Sequence, residues 1–570
     1  MGITNRTCRS VPALLLASSA LLSPIPATAQ SVAPTRDELS NIAKPEAPPR
    51  PSLNVVGGIE RSPCPLADPR FADVKVTISE VQFNGLKGAT PEEMRAAWSP
   101  FAGREQPVSV LCEIRDAAAT ILRDKGYLAA VQVPTQRIEN GVVTMETLYA
   151  RVTTVRARGQ TDGAEAKLAG YLNKLTEDEY FDRNKAERYL LLARDIPGYN
   201  VQLTLKPAGT GPGELIGEVA VLRRRYSLDA TVQNLAAQET GRWGGQVRGQ
   251  LYGLTGLGDV TTLAFYSTAD FKEQKILQLG HSFRPGSEGL VIDGQFTYAW
   301  TKPDIDAPDA APDLKAKTLF WTIGARYPLK RTQSSNLWIG GGFDFVEQKV
   351  HFFVPLSRDK LRVLWLRGEW DAVDLSSRRP AWKANALVEL RKGLNIFDAS
   401  ESDDAVGPSR ADGDATATVI RAAAQGELAL GRDFAIALSP RAQYAFDPLL
   451  SFEEFTAGNY TIGRGYEPAT LGGDSGFGLT AELRGPRMMP IARSQLSMQP
   501  YLFGDAAWVW NKNDGMGAQH LKSAGGGIRA ELGDRFRFDG TLAVPLEKTG
   551  FENRKGDVRM LVTLTARILP

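Results

Sequence analysis

Apolar and polar residues alternate with a period of two along much of the C-terminal part of the chain, as they do in β-strands. In the last such run, Val562, Leu564 and Ala566 alternate with Thr563 and Thr565. The runs are about 9–15 residues long, which is the length that a tilted strand needs to cross a bilayer. The pattern therefore predicts a membrane all-β barrel of about sixteen antiparallel strands over residues 225–570. The predicted strands are 226–234, 243–254, 258–268, 274–284, 289–300, 317–328, 335–349, 360–374, 381–392, 417–430, 433–446, 477–485, 496–510, 522–532, 535–545 and 558–569.

The connections between the predicted strands alternate in length. The very long ones, 301–316, 393–416 and 447–476, all follow odd-numbered strands, whereas tight ones such as 255–257 and 431–432 follow even-numbered strands. Bacterial outer-membrane barrels have short periplasmic turns and longer extracellular loops, so the first strand is predicted to start in the periplasm. The alternative, a soluble β-sandwich or propeller, is not expected to sort its loops in this way.

The region before the predicted barrel has a different texture, in which strand and helix patterns follow one another twice. Residues 109–125 carry apolar residues at helical spacing and end at Gly126, and two strand-like runs follow around a turn at 140–141. A similar β-α-α-β-β cycle comes directly afterwards. The two cycles predict a repeated α+β module, at 73–150 and 151–224.

The N-terminus has the features of a secretory signal peptide, which we place at 1–29. A short apolar run at 11–22 follows two arginines and precedes the small-x-small cleavage site at 27–29. This apolar run is too short to span a bilayer. Residues 30–72 are rich in proline and are predicted to be a linker, with one short helical candidate at 35–44. The sequence leaves open whether this segment plugs the barrel.

The chain has three cysteines. Cys8 would leave with the signal peptide, whereas Cys64 and Cys112 would reach an oxidising compartment in which they can bond. The sequence cannot show that the two side chains meet, so a disulfide between them is left open.

Composition and short motifs exclude several functions. A formal net charge of +2 gives no reason to expect a nucleic-acid partner. We expect no cofactor and no metal, because the sequence lacks a phosphate-binding loop and a Cys/His cluster with ligand spacing. The run 473–476 (Gly-Asp-Ser-Gly) resembles the nucleophile segment of a serine protease, but none of the three histidines lies in a recognisable base motif. We therefore expect that the protein is not an enzyme.

The longest predicted connection, 447–476, carries the candidate functional residues. Phe503 and Asp505 are two residues apart in a predicted strand, so they face the same side, and a carboxylate is expected to face the lumen and not lipid. An ion pair between Arg464 and Asp505 would anchor the loop inside the pore, and Gly465 would permit a tight loop tip. The alternative is that Arg464 is an ordinary solvated loop residue.

These residues resemble those of a known family, the two-partner secretion transporters, also called haemolysin secretion/activation proteins, which join periplasmic POTRA modules to a sixteen-stranded barrel. The loop matches the family in Arg464-Gly465-Tyr466, and the barrel wall matches it in Phe503 and Asp505. Residues that follow the loop motif in similar order are Gly473, Asp474, Gly476 and Glu482. Family-like residues in the first module are Gly126, Tyr127, Pro134, Gln136 and Gly141. The chain departs from the family at Pro570, Gly463 and Tyr149-Ala150.

The resemblance implies an outer-membrane transporter whose periplasmic modules bind the N-terminal secretion domain of a large unfolded exoprotein, which the barrel then exports. It implies that the Arg464–Asp505 pair holds the resting conformation of the long loop, and that the partners are the exoprotein and outer-membrane lipid. We expect a monomer. Whether the protein also activates its partner is left open.

Two alternatives keep the same architecture. One is an assembly factor that inserts other barrels, which usually carries more than two periplasmic modules. The other is a substrate-specific porin with a periplasmic docking domain, which would pass small solutes steadily.

Overall fold

The computed structural model describes residues 33–43, 64–211, 213–304, 313–377, 379–491, 495–513, 515, 517–549 and 555–569. The predicted signal peptide, part of the Pro-rich linker and Pro570 lie outside these residues. Among the described residues, no helix combines the length and the apolar character needed to cross a bilayer.

A short helix, α1 (Arg36–Ala43), comes first, and two α+β modules follow it. The elements of the first module are β1 (Lys75–Thr77), β2 (Glu80–Asn84), α2 (Pro91–Met94), β3 (Glu105–Pro107), α3 (Val110–Asp124), β4 (Ala129–Gln132) and β5 (Val142–Tyr149). Its main sheet has the order β2-β5-β4, with β2 parallel to β5. Ile114, Ala118 and Leu122 on one face of α3 are fully buried in the module core, because they recur at helical spacing.

The second module repeats this plan. Its elements are β6 (Arg151–Gly159), α4 (Glu165–Asn173), α5 (Arg183–Arg194), β7 (Tyr199–Pro207) and β8 (Glu214–Arg223), and its sheet has the order β6-β8-β7. The module packs against the barrel. Arg331 at a barrel turn donates two hydrogen bonds of 2.7 Å to the Asp195 carboxylate at the end of α5, and the Gln333 N–H donates to Glu187 Oε1 at 2.8 Å. This contact identifies the module-facing side of the barrel.

Sixteen strands of the described chain close into an antiparallel barrel, which confirms the predicted fold class. They are β9 (Tyr226–Gln233), β10 (Gly244–Tyr252), β11 (Val260–Thr268), β12 (Gln274–Phe283), β13 (Val291–Thr301), β14 (Lys315–Arg331), β15 (Ser335–Phe352), β16 (Val354–Val373), β17 (Trp382–Gly393), β18 (Thr418–Leu430), β19 (Phe434–Ala445), β22 (Ser475–Arg484), β23 (Leu496–Trp510), β24 (Gln519–Leu532), β25 (Phe536–Pro545) and β26 (Arg559–Leu569). The short strands β20 (Phe455–Ala457) and β21 (Leu471–Gly473) belong to the long loop and form a separate two-stranded sheet. The long connections leave the barrel on the side opposite the modules, as the loop pattern predicts.

Alternation along each strand separates the lumen from the lipid face. In β23, Phe503 and Asp505 are buried in the lumen, whereas Leu502, which directly precedes Phe503, is 63% exposed on the outer face. Trp508 lies on the same outer face and stacks with Phe477 of β22 at a centroid distance of 6.2 Å. A closed sheet is the arrangement that satisfies every backbone group of strands in a bilayer.

One hairpin is longer than the sequence predicts. The predicted strands 335–349 and 360–374 leave a connection of several residues, but β15 and β16 pair as far as Phe352 and Val354. The added residues include His351, Arg358 and Asp359, which are polar or charged and therefore do not fit the pattern of a lipid-facing strand. The prediction was wrong here because pairing continues beyond the hydrocarbon core of the membrane, where alternation of apolar residues is not needed.

Candidate functional site: the occupied lumen

The long loop, residues 446–474, folds back into the barrel lumen. Apolar side chains of the loop are buried against the inner wall of the barrel. The loop residues of this cluster are Phe455, Ala457, Ile462, Tyr466 and Leu471, and the wall residues are Ala507, Val509 and Leu521. The loop therefore packs as part of the folded interior, and this core fixes where its polar tip lies.

Arg464 at the loop tip binds Asp505 on β23. Its Nε and Nη2 donate to the two Asp505 carboxylate oxygens at 3.1 and 2.9 Å, and its backbone N–H donates to Asp505 Oδ2 at 2.9 Å. The guanidinium carbon lies 3.5 Å from the ring centroid of Phe503. The predicted pairing of Arg464 with Asp505 is confirmed, and the solvated-arginine alternative is wrong. Only arginine offers a planar fork that can make this bidentate contact and stack on a ring together.

Glu482 on β22 extends this ion pair into a network. It accepts hydrogen bonds from Arg464 Nη1 at 2.8 Å, from Arg484 at 2.9 and 3.0 Å, and from Arg529 at 2.9 and 3.0 Å. Arg529 on β24 also donates to Asp539 on β25 at 3.0 Å. Sequence reasoning identified Glu482 but missed both additional arginines. Arg484 and Arg529 occupy lumen-facing positions in the alternation of their strands, and this pattern could have identified them.

The two residues after Arg464 fit closely against the wall. A Cβ at Gly465 would lie 2.8 Å from Ser523 Cβ and 2.8 Å from the Pro545 nitrogen, so glycine is required by close approach. Gly463 has the positive φ, +120°, that turns the loop tip. The Tyr466 hydroxyl donates to the Lys522 carbonyl at 2.8 Å and accepts from the Glu547 N–H at 3.1 Å. The three family-like loop residues are therefore seated together on β23–β25.

Asp474 closes the base of the loop. Its fully buried carboxylate accepts hydrogen bonds from the Leu449 and Lys512 N–H groups, both at 2.7 Å, and from Arg410 Nη1 at 2.5 Å. Gly476 admits the Phe455 ring, which would lie 2.3 Å from an added Cβ, and Gly473 similarly faces Val509 at 2.6 Å. Ser475, singled out by its protease-like run, is buried, and its Oγ accepts the Ala445 N–H at 3.0 Å.

Helix α1 occupies the lumen beside the loop. Leu39 is 1% exposed and packs among inward-facing barrel residues, which are Tyr266, Ile276, Ala299, Phe320, Val346, Leu361 and Val363. The Leu39 and Pro34 carbonyls accept hydrogen bonds from Gln278 and Gln348 at 3.2 and 3.3 Å. The structure thus places residues 33–43 in the pore, whereas 44–63 lie outside the described residues.

The charged end of α1 contacts both the wall and the long loop. Arg36 lies 3.4 Å from Glu389 on β17, 3.7 Å from Asp344 on β15 and 4.0 Å from Glu453 of the loop. Asp37 accepts hydrogen bonds from Arg441 on β19 at 2.8 Å and from the loop residue Thr456 at 3.0 Å. The helix and the loop are therefore in direct contact.

Arg391 on β17 is the hub that joins these carboxylates. It donates to both Glu453 oxygens at 2.8 Å, to Asp344 at 2.8 Å and to Glu389 at 3.1 Å. Its side chain is 1% exposed, so the charge is stable only with these partners in place. Sequence reasoning missed Arg391 and its partners entirely.

A cavity of about 480 Å³ lies next to α1, along the inner face of β10–β16. Polar and charged side chains line most of it, including Arg36, Arg248, Gln295, Arg326 and Glu369. The lumen is thus asymmetric: the loop is anchored on β22–β25, while helix and cavity share the opposite wall.

The family-like residues of the first module make internal contacts. Gly126 (φ +99°) and Tyr127 lie at the joint between the modules, where the Gly126 carbonyl accepts the Arg183 N–H at 2.8 Å and Tyr127 pairs with Asp182. Gln136 exchanges two hydrogen bonds of 2.7 Å with the Thr144 backbone.

The other two family-like positions also lie in turns and loops of this module. Gly141 (φ +75°) completes a turn, and Pro134 precedes Gln136 and accepts a hydrogen bond from it at 3.4 Å. Their predicted role in partner docking stays a prediction.

The arm before the first module is tied to it. Cys64 and Cys112 form a disulfide, with a Cα–Cα distance of 6.0 Å. The bond joins the N-terminal arm to α3, which resolves the pairing that the sequence leaves open.

Comparisons with known proteins agree with this architecture. The family model described as haemolysin secretion/activation protein ShlB/FhaC/HecB matches residues 369–530, and the ShlB-type POTRA domain matches residues 76–148. The chain is 21% identical over 511 residues to the heme/hemopexin transporter protein HuxB of Haemophilus influenzae, which covers 83% of this chain and 84% of HuxB.

Solved structures show the same fold. CdiB from Escherichia coli superposes with a TM-score of 0.72 at 16% identity and covers 94% of this chain and 96% of its own. CdiB from Acinetobacter baumannii gives a TM-score of 0.63 at 15% identity, over 90% of this chain and 94% of its own.

A closed sixteen-stranded barrel, preceded by POTRA-type modules and filled by its own loop, defines an outer-membrane β-barrel of the transporter class. Within that class, residues 369–530 match the haemolysin secretion/activation protein family, ShlB/FhaC/HecB, and the matches indicate a two-partner secretion transporter.

Proposed function

We propose that this protein exports one large unfolded exoprotein, which docks on the periplasmic modules and then passes through the barrel when α1 leaves the lumen. The observation that supports this proposal is that α1, which we call the plug, lies in the barrel lumen. Helix α1 occupies the pore, and its side chains over 36–40 are held there by polar contacts and by one buried leucine, Leu39, so the helix can leave without unfolding the barrel.

The loop and the helix differ in how firmly they are held. Arg464 makes four charged contacts of 2.8–3.1 Å to Asp505 and Glu482, whereas Arg36 lies 3.4–4.0 Å from its three carboxylates. Charged hydrogen bonds weaken with distance and misalignment. We therefore infer that the loop stays anchored during export and that the helix is the part that moves.

The contact between α1 and the long loop couples movement of the helix to the conformation of the loop. Glu453 in the loop faces both Arg391 and Arg36, so departure of the helix removes one of the charges that Glu453 contacts. Rearrangement of the loop base would follow from this lost contact. The opened passage would lie along β10–β16, where the cavity already exists.

The periplasmic modules offer edges for an unfolded partner. Their three-stranded sheets end in β2 and β4 in the first module and in β6 and β7 in the second. An extended segment can add to such an edge through main-chain hydrogen bonds without a fixed sequence. Folding of the partner outside the cell would then prevent it from sliding back.

The occupied lumen separates this proposal from a porin. A porin needs a steadily open, water-filled channel, whereas here α1 and the loop meet inside the pore. Two modules favour export over barrel assembly, because assembly factors usually carry more.

A neighbouring reading frame that encodes a large secreted protein would supply the candidate partner, and co-expression of that partner with this protein tests the proposal. We expect that protein in the medium with the wild-type transporter, and we expect deletion of residues 73–150 to abolish both its export and its capture by the purified transporter. Unchanged capture by the deletion variant would contradict docking on the first module. Absence of export by the wild-type protein, with the barrel correctly inserted, would contradict the proposal.

A further inference from the structure

The outer ends of five neighbouring strands carry four basic side chains and one tryptophan in register. Lys275 on β12 pairs with Trp300 on β13, Trp300 with Lys317 on β14, Lys317 with Lys349 on β15, and Lys349 with Arg358 on β16. Directly paired residues of antiparallel strands place their side chains on the same face. These five residues, which we call the basic row, therefore form one line across the barrel surface.

The basic row faces outward. The residues next to the row point into the lumen: Ile276 and Ala299 pack around Leu39 of α1, and Thr318, the neighbour of Lys317, is fully buried. Side chains alternate between the two faces of a strand, so neighbours of lumen-facing residues face the membrane side. Trp300 is 42% exposed in agreement with this orientation.

The height of the row is set by the apolar belt beside it. Leu277, Tyr298 and Leu319 each lie two positions closer to the membrane centre than the row residue of their strand, and they face the same side. One step further, Trp321 stacks on Phe345 with a centroid distance of 5.3 Å. Aromatic side chains of this kind mark the membrane–water interface. The row thus lies at the outer rim of the apolar belt, at the level of lipid headgroups.

Positive charge exceeds negative charge along the row. Glu347 lies 3.6 Å from Lys349, 3.5 Å from Arg358 and 3.6 Å from Arg362, so one carboxylate is shared by three cations. Lys275 and Lys317 make no ion pair with an acidic residue in the described part of the chain. Asp313, in the adjoining connection, is engaged by Lys302 at 3.0 Å and Lys315 at 3.2 Å.

We propose that the basic row binds the phosphate groups of an anionic lipid in the outer leaflet of the outer membrane. Strands lie about 4.8 Å apart, so cations on β14, β15 and β16 present a continuous donor line that can contact more than one phosphate. Trp300 interrupts the line with an apolar surface suited to the boundary between headgroup and acyl chain. This binding does not depend on the proposed export function.

Binding of lipid to the purified, detergent-solubilised full-length protein tests the proposal. The probe is lipid A with both phosphates, in the presence of EDTA, and the comparison lipid is the same molecule without phosphates. We expect K275Q/K317Q/K349Q to bind lipid A on the order of 100-fold more weakly than wild type, because each basic residue near an anionic surface contributes about fivefold. K275R/K317R/K349R should retain binding.

A matched control removes three exposed cations at the opposite rim of the barrel, in K330Q/K383Q/R432Q. This variant should bind lipid A as wild type does. Equal binding by the row variant, equal loss in the control variant, or equal affinity for the dephosphorylated lipid would overturn the proposal. Displacement of lipid A by millimolar inorganic phosphate would also overturn it, because the ligand would then be free phosphate.

Discussion

At the scale of single residues, the contact between Arg464 and Asp505 fixes the conformation of the long loop. Asp505 has a fully buried side chain and Arg464 a largely buried one, so neither charge can be solvated in place of its partner. Such a pair adds little when compared with apolar residues, but loss of one partner leaves a buried charge unpaired at a cost of about 3–5 kcal/mol. The pair therefore specifies one position of the loop.

We predict that Arg464→Ala and Asp505→Ala each reduce export to less than about one tenth of wild type, because the unpaired charge displaces the loop tip. The barrel should still insert, since the pair does not contribute to strand pairing. Arg464→Lys should be impaired as well, because an ammonium cannot reproduce the bidentate contact. The measurement is partner protein in the medium, with membrane level as the reference and Arg535→Ala, in an exposed turn, as the control. Wild-type export by both alanine variants would refute the anchor role.

Glu38 gives the plug a dependence on pH. Burial of its carboxyl in the lumen raises its pKa to about 7, against the opposing hydrogen bond from the Thr35 N–H, and the charge of Asp37 raises it further. The docked helix therefore prefers protonated Glu38. This contribution to docking is complete below the ordinary pKa of 4.5 and is lost as the pH rises through about 7.

We predict several-fold more frequent channel openings at about pH 8 than at about pH 5.5 in planar bilayers, and we expect Glu38→Gln to reduce this difference. Glu454 in the long loop also has a pKa raised to about 7 by burial, so Glu454→Gln is measured in parallel to separate the two groups. An unchanged pH response in Glu38→Gln would show that Glu38 does not control the plug.

Sequence reasoning found one of the two lumen clusters. Asp505 was accessible because strand parity and the cost of a lipid-facing charge both place it in the lumen. The Arg391–Glu453 contact was not accessible, because its partners are 62 residues apart and one lies in a loop whose path the pattern does not define. Contacts of that kind depend on how the loop and α1 fold back into the pore.

At the scale of elements, we propose that α1 is the part of the lumen that is displaced. We predict that R36A/D37A/L39A raises the open probability in planar bilayers by about tenfold or more, because it removes two charged side chains with their ionic contacts and one buried side chain. D68A/R70A, which removes an exposed acid–base pair of the arm at 3.0 Å, is the matched control and should conduct as wild type. Unaltered conductance of the α1 variant would mean that the helix does not close the pore.

The disulfide stabilises the first module together with its arm. It spans a sequence separation of 48 residues, and closing a loop of that size in the unfolded chain corresponds to about 4 kcal/mol in the chain-entropy model. We predict that Cys112→Ser lowers the urea midpoint for unfolding of the modules, followed by tryptophan fluorescence of Trp98, while the barrel transition is unchanged. Equal midpoints with and without the bond would contradict this contribution.

Elements were predicted best where one physical rule dominated. Strands β23–β26 follow the alternation that a lipid face and a wet lumen impose, and their predicted bounds agree with the structure to within a few residues. The β15–β16 hairpin was predicted too short, since its outer part lies above the hydrocarbon core of the membrane, where no such rule applies. The helix at 36–43 was predicted, but its position in the pore could not be, because its contacts are all long-range.

At the scale of the whole molecule, the two modules are linked both to the barrel and to the arm that carries α1. The second module is clamped to a barrel turn by Arg331 and Asp195, and the disulfide holds the arm that leads to α1 on the first module. A partner that binds the modules therefore acts close to the chain that closes the pore.

The most direct test of export through the barrel is a photo-crosslink between the lumen and a partner stalled during translocation. The crosslinking amino acid is placed at Gln295, which lines the cavity, or at its strand neighbour Phe296, which faces lipid and is 38% exposed. We predict a crosslink to the exported chain from position 295 and none from position 296. Crosslinks from neither position, or equally from both, while export proceeds would contradict passage through the lumen.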